Sequence, residues 1–274
     1  TTSRLAGAID SLTWNGKEFI DSLDHGRQLQ SACSFHNGKG RFVPETFNPT
    51  EAGSRFDGAG PTSTSKLLSL SADGSRLRTK SQMAFWLRPG ERSAGELARN
   101  EQSISNHLLE KRVTIGVQGL PHAIEYVTTF TVPQGEQHRL AQFEAVTGYM
   151  PPEFEKFYTY DVGTGAQTSL SDGPGEQSQP IIFATADAQH AMGIWSPDQP
   201  SQGFEHAGYG RFRFTRQKVV KWNCVFRLRN GKAIPAGDYS FRSFVTVGDL
   251  KEASQTLSAL AKRLKPRSKT GGTP

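Results

Sequence analysis

From Phe212 to Phe214, and again from Val219 to Arg229, apolar and polar residues alternate nearly one for one. A period of two places successive side chains on opposite faces of a strand. The stretch 203–229 is therefore expected to be a β-hairpin with one apolar and one polar face. Phe212, Phe214, Val220, Trp222, Cys224, Phe226 and Leu228 form the apolar set. Tyr209, Arg211, Arg213, Lys221, Asn223, Arg227 and Arg229 form the polar set, joined by Glu205 if no bulge intervenes. A three-residue loop at Thr215, Arg216 and Gln217 keeps the faces separate, with Arg211 opposite Lys221, Tyr209 opposite Asn223 and Glu205 opposite Arg227. A two-residue loop pairs Phe212 with Lys221 and mixes the faces, which a half-buried sheet resists. The polar set reads as a ligand face, because a phenol, an amide and a carboxylate stand among the cations; a merely solvated outer face is the alternative. Gly203, Gly208 and Gly210 invite a bulge, which would bring His206 to the polar side.

The same period recurs through the chain. Strands are expected at 17–20, 29–35, 67–70, 77–79, 82–87, 107–117, 124–132, 140–146, 181–185, 191–195 and 239–247. Asn15-Gly16 marks a two-residue hairpin, since both positions take positive φ at little cost. Only one segment changes to helical spacing. Asp249 and Glu252 make a capping box ahead of Leu250, Ala253, Leu257, Leu260, Ala261 and Leu264, and Pro266 ends the run. Two long irregular stretches remain, 36–66 and the aromatic-rich segment from Tyr149 to the DGPGEQ sequence. Long irregular segments inside compact domains are uncommon unless they bind something. Tyr149 is a candidate for stacking on a sugar face, and Glu51 for a sugar-binding or catalytic carboxylate.

Composition agrees with the pattern. Only 35% of residues are hydrophobic, and 28 glycines and 15 prolines suit a turn-rich β protein. The fold expected is all-β: a large, mostly antiparallel two-sheet β-sandwich over residues 1–265 with one C-terminal helix, and a disordered basic tail at 266–274. The formal net charge of +6 misleads about partners. Five cations (Lys262, Arg263, Lys265, Arg267, Lys269) crowd the C-terminal end, and the remainder is close to neutral. Nucleic acid is not an expected partner of the domain. A local basic band does persist, with eight Lys or Arg and no acid from His206 to Gly237, which suits an anionic glycan. No apolar run reaches the 18 or so residues of a membrane span. Cys33 and Cys224 suit either one disulfide or two buried thiols. No metal-ligand spacing, Walker loop, dinucleotide fingerprint or Gly-x-Ser-x-Gly elbow is present, and neither metal nor cofactor is expected. The opening Thr1-Thr2-Ser3, without an initiator methionine, fits a chain after leader removal, secreted or periplasmic, or a shortened one.

The first 30 residues carry a further signal: Gly7-Ala8-Ile9, a strand, Asn15-Gly16, Glu18-Phe19-Ile20, then a turn at Gly26-Arg27. This run resembles the galactose mutarotase-like superfamily. That superfamily includes aldose 1-epimerases and the sandwich domains of several glycoside hydrolases and polysaccharide lyases. The resemblance implies a supersandwich and a carbohydrate partner on its concave face. It also implies acid–base chemistry by a glutamate and a histidine, for which Glu205 or Glu144 is the candidate base and His107, His206 or His25 the candidate acid. His25 and Arg27, beside the turn, are candidate substrate contacts. A lyase on an acidic glycan would draw instead on Arg211, Lys221, Asn223 and Tyr209, and a hydrolase on a pair among Glu51, Glu144 and Glu205. A non-catalytic carbohydrate-binding module is the third reading.

Overall fold

The computed structural model describes residues 1–199 and 208–264. Its strands hydrogen-bond into one continuous antiparallel sheet of 15 strands folded over on itself, beside two small two-stranded hairpins. One layer runs through Lys156–Tyr160, Ile181–Ala184, Ala191–Trp195, Gly237–Gly248, Ala123–Val132, Ile104–Ile115 and Arg76–Phe85, with Lys66–Asp73 flanking the last. The other runs through Leu29–His36, Leu140–Met150, Val219–Arg229, Tyr209–Phe214 and Gly175–Gln177. The two-residue strand Pro49–Thr50 joins them, pairing Thr50 with Ala32 on one side and Ala84 on the other. It lies in the stretch expected to be irregular.

Alternation builds the core between the layers. Phe226 and Phe143 meet Phe241 across the gap, with ring centroids 4.4 and 5.2 Å apart, while the other face of each strand points outward. The Asn15-Gly16 turn is present with both residues at positive φ (48° and 75°), between Thr13–Trp14 and Lys17–Glu18. The helix Leu250–Arg263 carries its capping box and packs Leu257 and Leu260 beneath Phe244 and Trp195. Several strands run longer than alternation indicates: 67–70 belongs to Lys66–Asp73, and the two strands expected at 77–79 and 82–87 are one, Arg76–Phe85, the other arm of the same hairpin. Lys156–Tyr160, within a segment read as loop, is a strand. Both cysteines are free, buried thiols. No helix among the described residues is long and apolar enough to cross a membrane. The expected tail, 266–274, lies outside the described residues.

Two irregularities decide which side chains share the cleft face. The strand Leu140–Met150 follows Val219–Arg229 from Leu140↔Arg229 to Glu144↔Val225, then resumes at Val146↔Cys224. Ala145 is the extra residue of a β-bulge, and a bulge reverses the parity of everything after it. Gln142 and Glu144 before it, and Thr147 and Tyr149 after it, consequently line one face. The second irregularity is the hairpin loop. Its register is Phe212↔Lys221 and Tyr209↔Cys224, with a four-residue loop from Thr215 to Lys218 in place of the expected three. This even count exchanges the faces of Tyr209–Phe214. Phe212 joins Lys221 on the outer face, and Tyr209, Arg211 and Arg213 turn the other way. The mixing is tolerated because Tyr209–Phe214 lies near the sheet edge, where its inner side is covered by polar loop. Arg213 there donates to the Glu155 carbonyl at 2.6 Å and pairs with Asp172 at 3.0 Å.

Candidate functional site

On the outer face of the layer containing Val219–Arg229 lies a cleft of about 500 Å³. Three adjacent strands form its floor: Leu29–His36 contributes Gln30 and Ser34, Leu140–Met150 contributes Gln142, Glu144 and Tyr149, and Val219–Arg229 contributes Lys221, Asn223 and Arg227. Trp86 and Asn48 stand along one wall and Phe212 and Glu176 along the other.

At its centre the Lys221 Nζ lies 2.9 Å from Glu144 Oε2 and sits over two rings, 5.2 Å from the Tyr149 centroid and 5.5 Å from that of Phe212. Burial works against the Lys221 charge, but Glu144 and Tyr149 outweigh it and raise its pKa, so the ammonium persists at neutral pH. Burial raises the Tyr149 phenol despite the opposing pull of Lys221, which keeps it a donor. Further along, Arg227 grips Glu176 through both terminal nitrogens, Nη2 to Oε2 at 2.7 Å, and its Nε donates to Gln142 Oε1 at 2.7 Å. Asn223 Oδ1 accepts from the Gly210 amide at 3.0 Å, which ties the hairpin to the cleft floor.

Four of the candidate catalytic and substrate-binding residues thus meet, Glu144, Tyr149, Lys221 and Asn223, with Arg227 of the polar set beside them. The rest do not join them. Tyr209 is 1% exposed, packed beside Cys224, with its hydroxyl accepting from the Ser196 amide at 2.9 Å; the loop parity turned it inward. Arg211 is turned the same way and is spent on Ser171 O at 2.7 Å and Gln177 Oε1 at 2.8 Å. His25 is buried, its two ring nitrogens 2.7 Å from Gly58 O and 3.1 Å from Arg4 O, so it stitches the N-terminal segment to the loop. Arg27 pairs with Asp24 at 3.2 Å and Asp21 at 3.6 Å, outside the cleft. Glu51 is fully buried against the equally buried Lys111, 2.5 Å away. Its carboxyl is pushed up by burial against the pull of Lys111. Glu205 and His206 lie outside the described residues.

His107, a candidate acid, does not reach the cleft. It is completely buried between Phe35, Phe47 and Phe85, with Nε2 3.3 Å from Glu136. Burial lowers its pKa from 6.5 to about 4. An unfolded chain protonates this ring below pH 6.5, whereas the folded chain resists until about pH 4. Stability should therefore fall as pH drops through that window, by up to about 3 kcal/mol at 1.36 kcal/mol per pKa unit. Urea midpoints of wild type and His107→Leu at pH 7 and pH 4.5 check this: the wild type should lose more on acidification, and equal losses would contradict it.

Sequence reading missed Trp86, Phe212, Glu176 and Asn48. Phe212 was assigned to the wrong face, Glu176 sits in a glycine-rich stretch with no periodicity, and Trp86 reaches the cleft from the far layer. Of the aromatic side chains in the segment from Tyr149 onward, only Tyr149 lines the cleft. Phe154 and Phe157 fill the core, the latter stacked on Phe183 with centroids 3.9 Å apart.

No protein-family model and no curated protein sequence matches the chain. Solved structures with similar overall shape include HI1317, 8% identical over 89% of this chain and 86% of that one, with a TM-score of 0.43. A protein in glycosyl hydrolase family 38 from Enterococcus faecalis is 13% identical, with a TM-score of 0.48, over 90% of this chain and 29% of that one. The GH36 alpha-galactosidase AgaA of Geobacillus stearothermophilus, in complex with stachyose, is 9% identical over 92% of this chain and 31% of that one, with a TM-score of 0.37. The chain thus spans under a third of either glycoside hydrolase. The architecture observed is the all-β one expected from the sequence, a large antiparallel sheet folded into two layers with one helix near the C-terminus. At these identities and TM-scores nothing about activity carries over.

Proposed function

We propose that the cleft binds a saccharide, and that the sugar is a neutral one. The carrying observation is the group at its centre: a carboxylate, an ammonium and a phenol held together between aromatic rings. Sugar C–H faces stack on rings such as Phe212 and Tyr149, and vicinal hydroxyls bridge a paired acid and base, donating to Glu144 while accepting from Lys221. Charge favours a neutral ligand over the anionic glycan expected from the sequence. Among the described residues the cleft lining holds three carboxylates, Glu45, Glu144 and Glu176, against the two cations Lys221 and Arg227. Each cation already has an acidic partner. A bound uronate would compete with them for the same ammonium and guanidinium.

Acid–base turnover at the same place is the second reading. It is favoured by the neighbouring Glu144, able to take a proton from an anomeric hydroxyl, and Tyr149, able to give one to a ring oxygen. The glutamate–histidine pairing of the epimerase reading has no counterpart in the described part of the cleft, since neither His25 nor His107 reaches it.

A panel of neutral and acidic mono- and oligosaccharides, followed by calorimetry for binding and by polarimetry and product release for turnover, tests both readings. Phe212→Ala and Tyr149→Ala should each weaken a neutral ligand by about 1 kcal/mol or more, roughly fivefold to tenfold. Added salt should leave that affinity nearly unchanged. Glu144→Gln should abolish any turnover, because the amide keeps the shape but cannot carry the proton. Preference for uronates over neutral sugars, or indifference to Phe212→Ala and Tyr149→Ala, would overturn the proposal.

A further inference from the structure

The opposite layer of the sandwich carries a second cleft, of about 470 Å³, on its own outer face. Four strands cross beneath it in register, Arg78↔Arg112, Arg112↔Val127 and Val127↔Arg242, so three arginines stand in one row across the sheet. Arg76 adds a fourth, two residues along the same strand face as Arg78. Arg242 is held by Glu125, Nε to Oε1 at 2.6 Å. Arg76, Arg78 and Arg112 are exposed, and among the described residues none of them makes an ion pair. Among the described residues of this lining four arginines face two carboxylates, Glu125 and Asp198, the reverse of the balance in the saccharide cleft.

Like charges directly opposite on neighbouring strands are destabilising. Arg78 against Arg112 is such a pair, neither ion-paired to a carboxylate among the described residues, and a bound anion would supply a counter-charge. Strands are spaced about 4.8 Å apart and residues two apart along a strand about 7 Å. The guanidinium groups therefore present a grid suited to several anionic groups in sequence rather than to one. Among the described residues no aromatic ring lies flat on this face: the Phe241 ring points into the core against Phe226 and Phe143. Single-stranded nucleic acid, which relies on such platforms, is thereby disfavoured.

We propose that this outer face, centred on Arg78 and Arg112 with Arg76 and Arg242 beside them, is a docking surface for an acidic glycan bearing carboxylate or sulfate groups. The need for an anion follows from the arginine row itself. The choice of a glycan as its carrier rests on the saccharide reading of the first cleft.

The test uses the full chain and a version in which Lys265, Arg267 and Lys269 are changed to Gln, so that the basic C-terminal end cannot supply the affinity. Heparin and polygalacturonate are the probes, with dextran as neutral control and a single-stranded oligonucleotide as competing polyanion. Arg78→Ser/Arg112→Ser should weaken heparin and polygalacturonate at least tenfold in both backgrounds, and should flatten the salt dependence of binding by about one to two released counterions. A charge-matched control, Lys156→Ser/Lys251→Ser, should change little. Thermal stability of the double variant should hold or rise, since a repulsion is removed, and neutral-saccharide binding in the first cleft should be intact. Unchanged heparin affinity in the double variant, loss that follows the C-terminal substitutions instead, or equal loss in the charge-matched control would overturn the proposal. An oligonucleotide bound as tightly as heparin would overturn the glycan assignment. Loss of neutral-saccharide binding by Phe212→Ala, measured separately, reports on the first cleft alone.

Discussion

Trp222→Ala is expected to destabilise the protein by about 3–5 kcal/mol, the range for emptying a fully buried large aromatic site. The indole is 1% exposed and lies in the main core cluster, with Nε1 3.3 Å from the Met150 sulfur. Collapse into the vacated space is hindered because the backbone facing it is already as close as it can come. Gly148 is the register partner of Trp222, and a Cβ there would lie 2.5 Å from the ring. Gly148→Ala is accordingly expected to be costly as well, through overpacking rather than a cavity, by about 1–3 kcal/mol. Urea denaturation reads both, and for a chain of this size Trp222→Ala should lower Tm by on the order of 10 °C. A Trp222→Ala midpoint within about 2 °C of wild type would show that the indole does not seal the inter-layer core as described.

The second large effect concerns Lys111 and Glu51, both with 0% side-chain exposure and 2.5 Å apart. Removing one partner leaves a buried charge without its counter-ion, so Lys111→Met or Glu51→Gln alone should cost about 3–5 kcal/mol. Changing both should cost distinctly less than the sum, because no uncompensated charge remains. Recovery should be incomplete in one specific respect. Lys111 Nζ also donates to the Gly7 carbonyl at 2.8 Å, and Glu51 Oε2 accepts from the Ser31 amide at 3.0 Å. The glutamine can keep the second contact, whereas methionine forfeits the first. The N-terminal segment should therefore become more open to hydrogen exchange around Gly7 in every variant that lacks Lys111. Additive losses in the double-mutant cycle would contradict a coupled pair.

Both residues illustrate what a linear pattern holds and what it does not. Leu109, Lys111 and Val113 alternate onto one face, and that parity alone assigns a lysine to the core side of its strand. Its partner comes from the 36–66 stretch, 60 positions away in sequence, and nothing periodic in that stretch points to it. The same limit governs the cleft. Lys221 and Asn223 were legible as neighbours on one face because they lie two apart on an uninterrupted strand. Glu144 and Tyr149 are five apart, an odd interval that alternation sends to opposite faces, and only the bulge at Ala145 reunites them.

Local sequence by itself determined the all-β class, the Asn15-Gly16 turn, the capped C-terminal helix and the two-faced character of Val219–Arg229. These follow from φ preferences, capping hydrogen bonds and side-chain period, interactions that span a few residues. Tertiary structure decided the parity at Ala145, the four-residue loop that turned Tyr209 and Arg211 away and brought Phe212 in, and the Pro49–Thr50 bridge that joins the layers. It also set the pairing of each cleft cation with a carboxylate. Each depends on which distant strand or loop lies alongside, where a shift of one residue reverses a face at little local cost and only the burial of the whole layer selects between the alternatives.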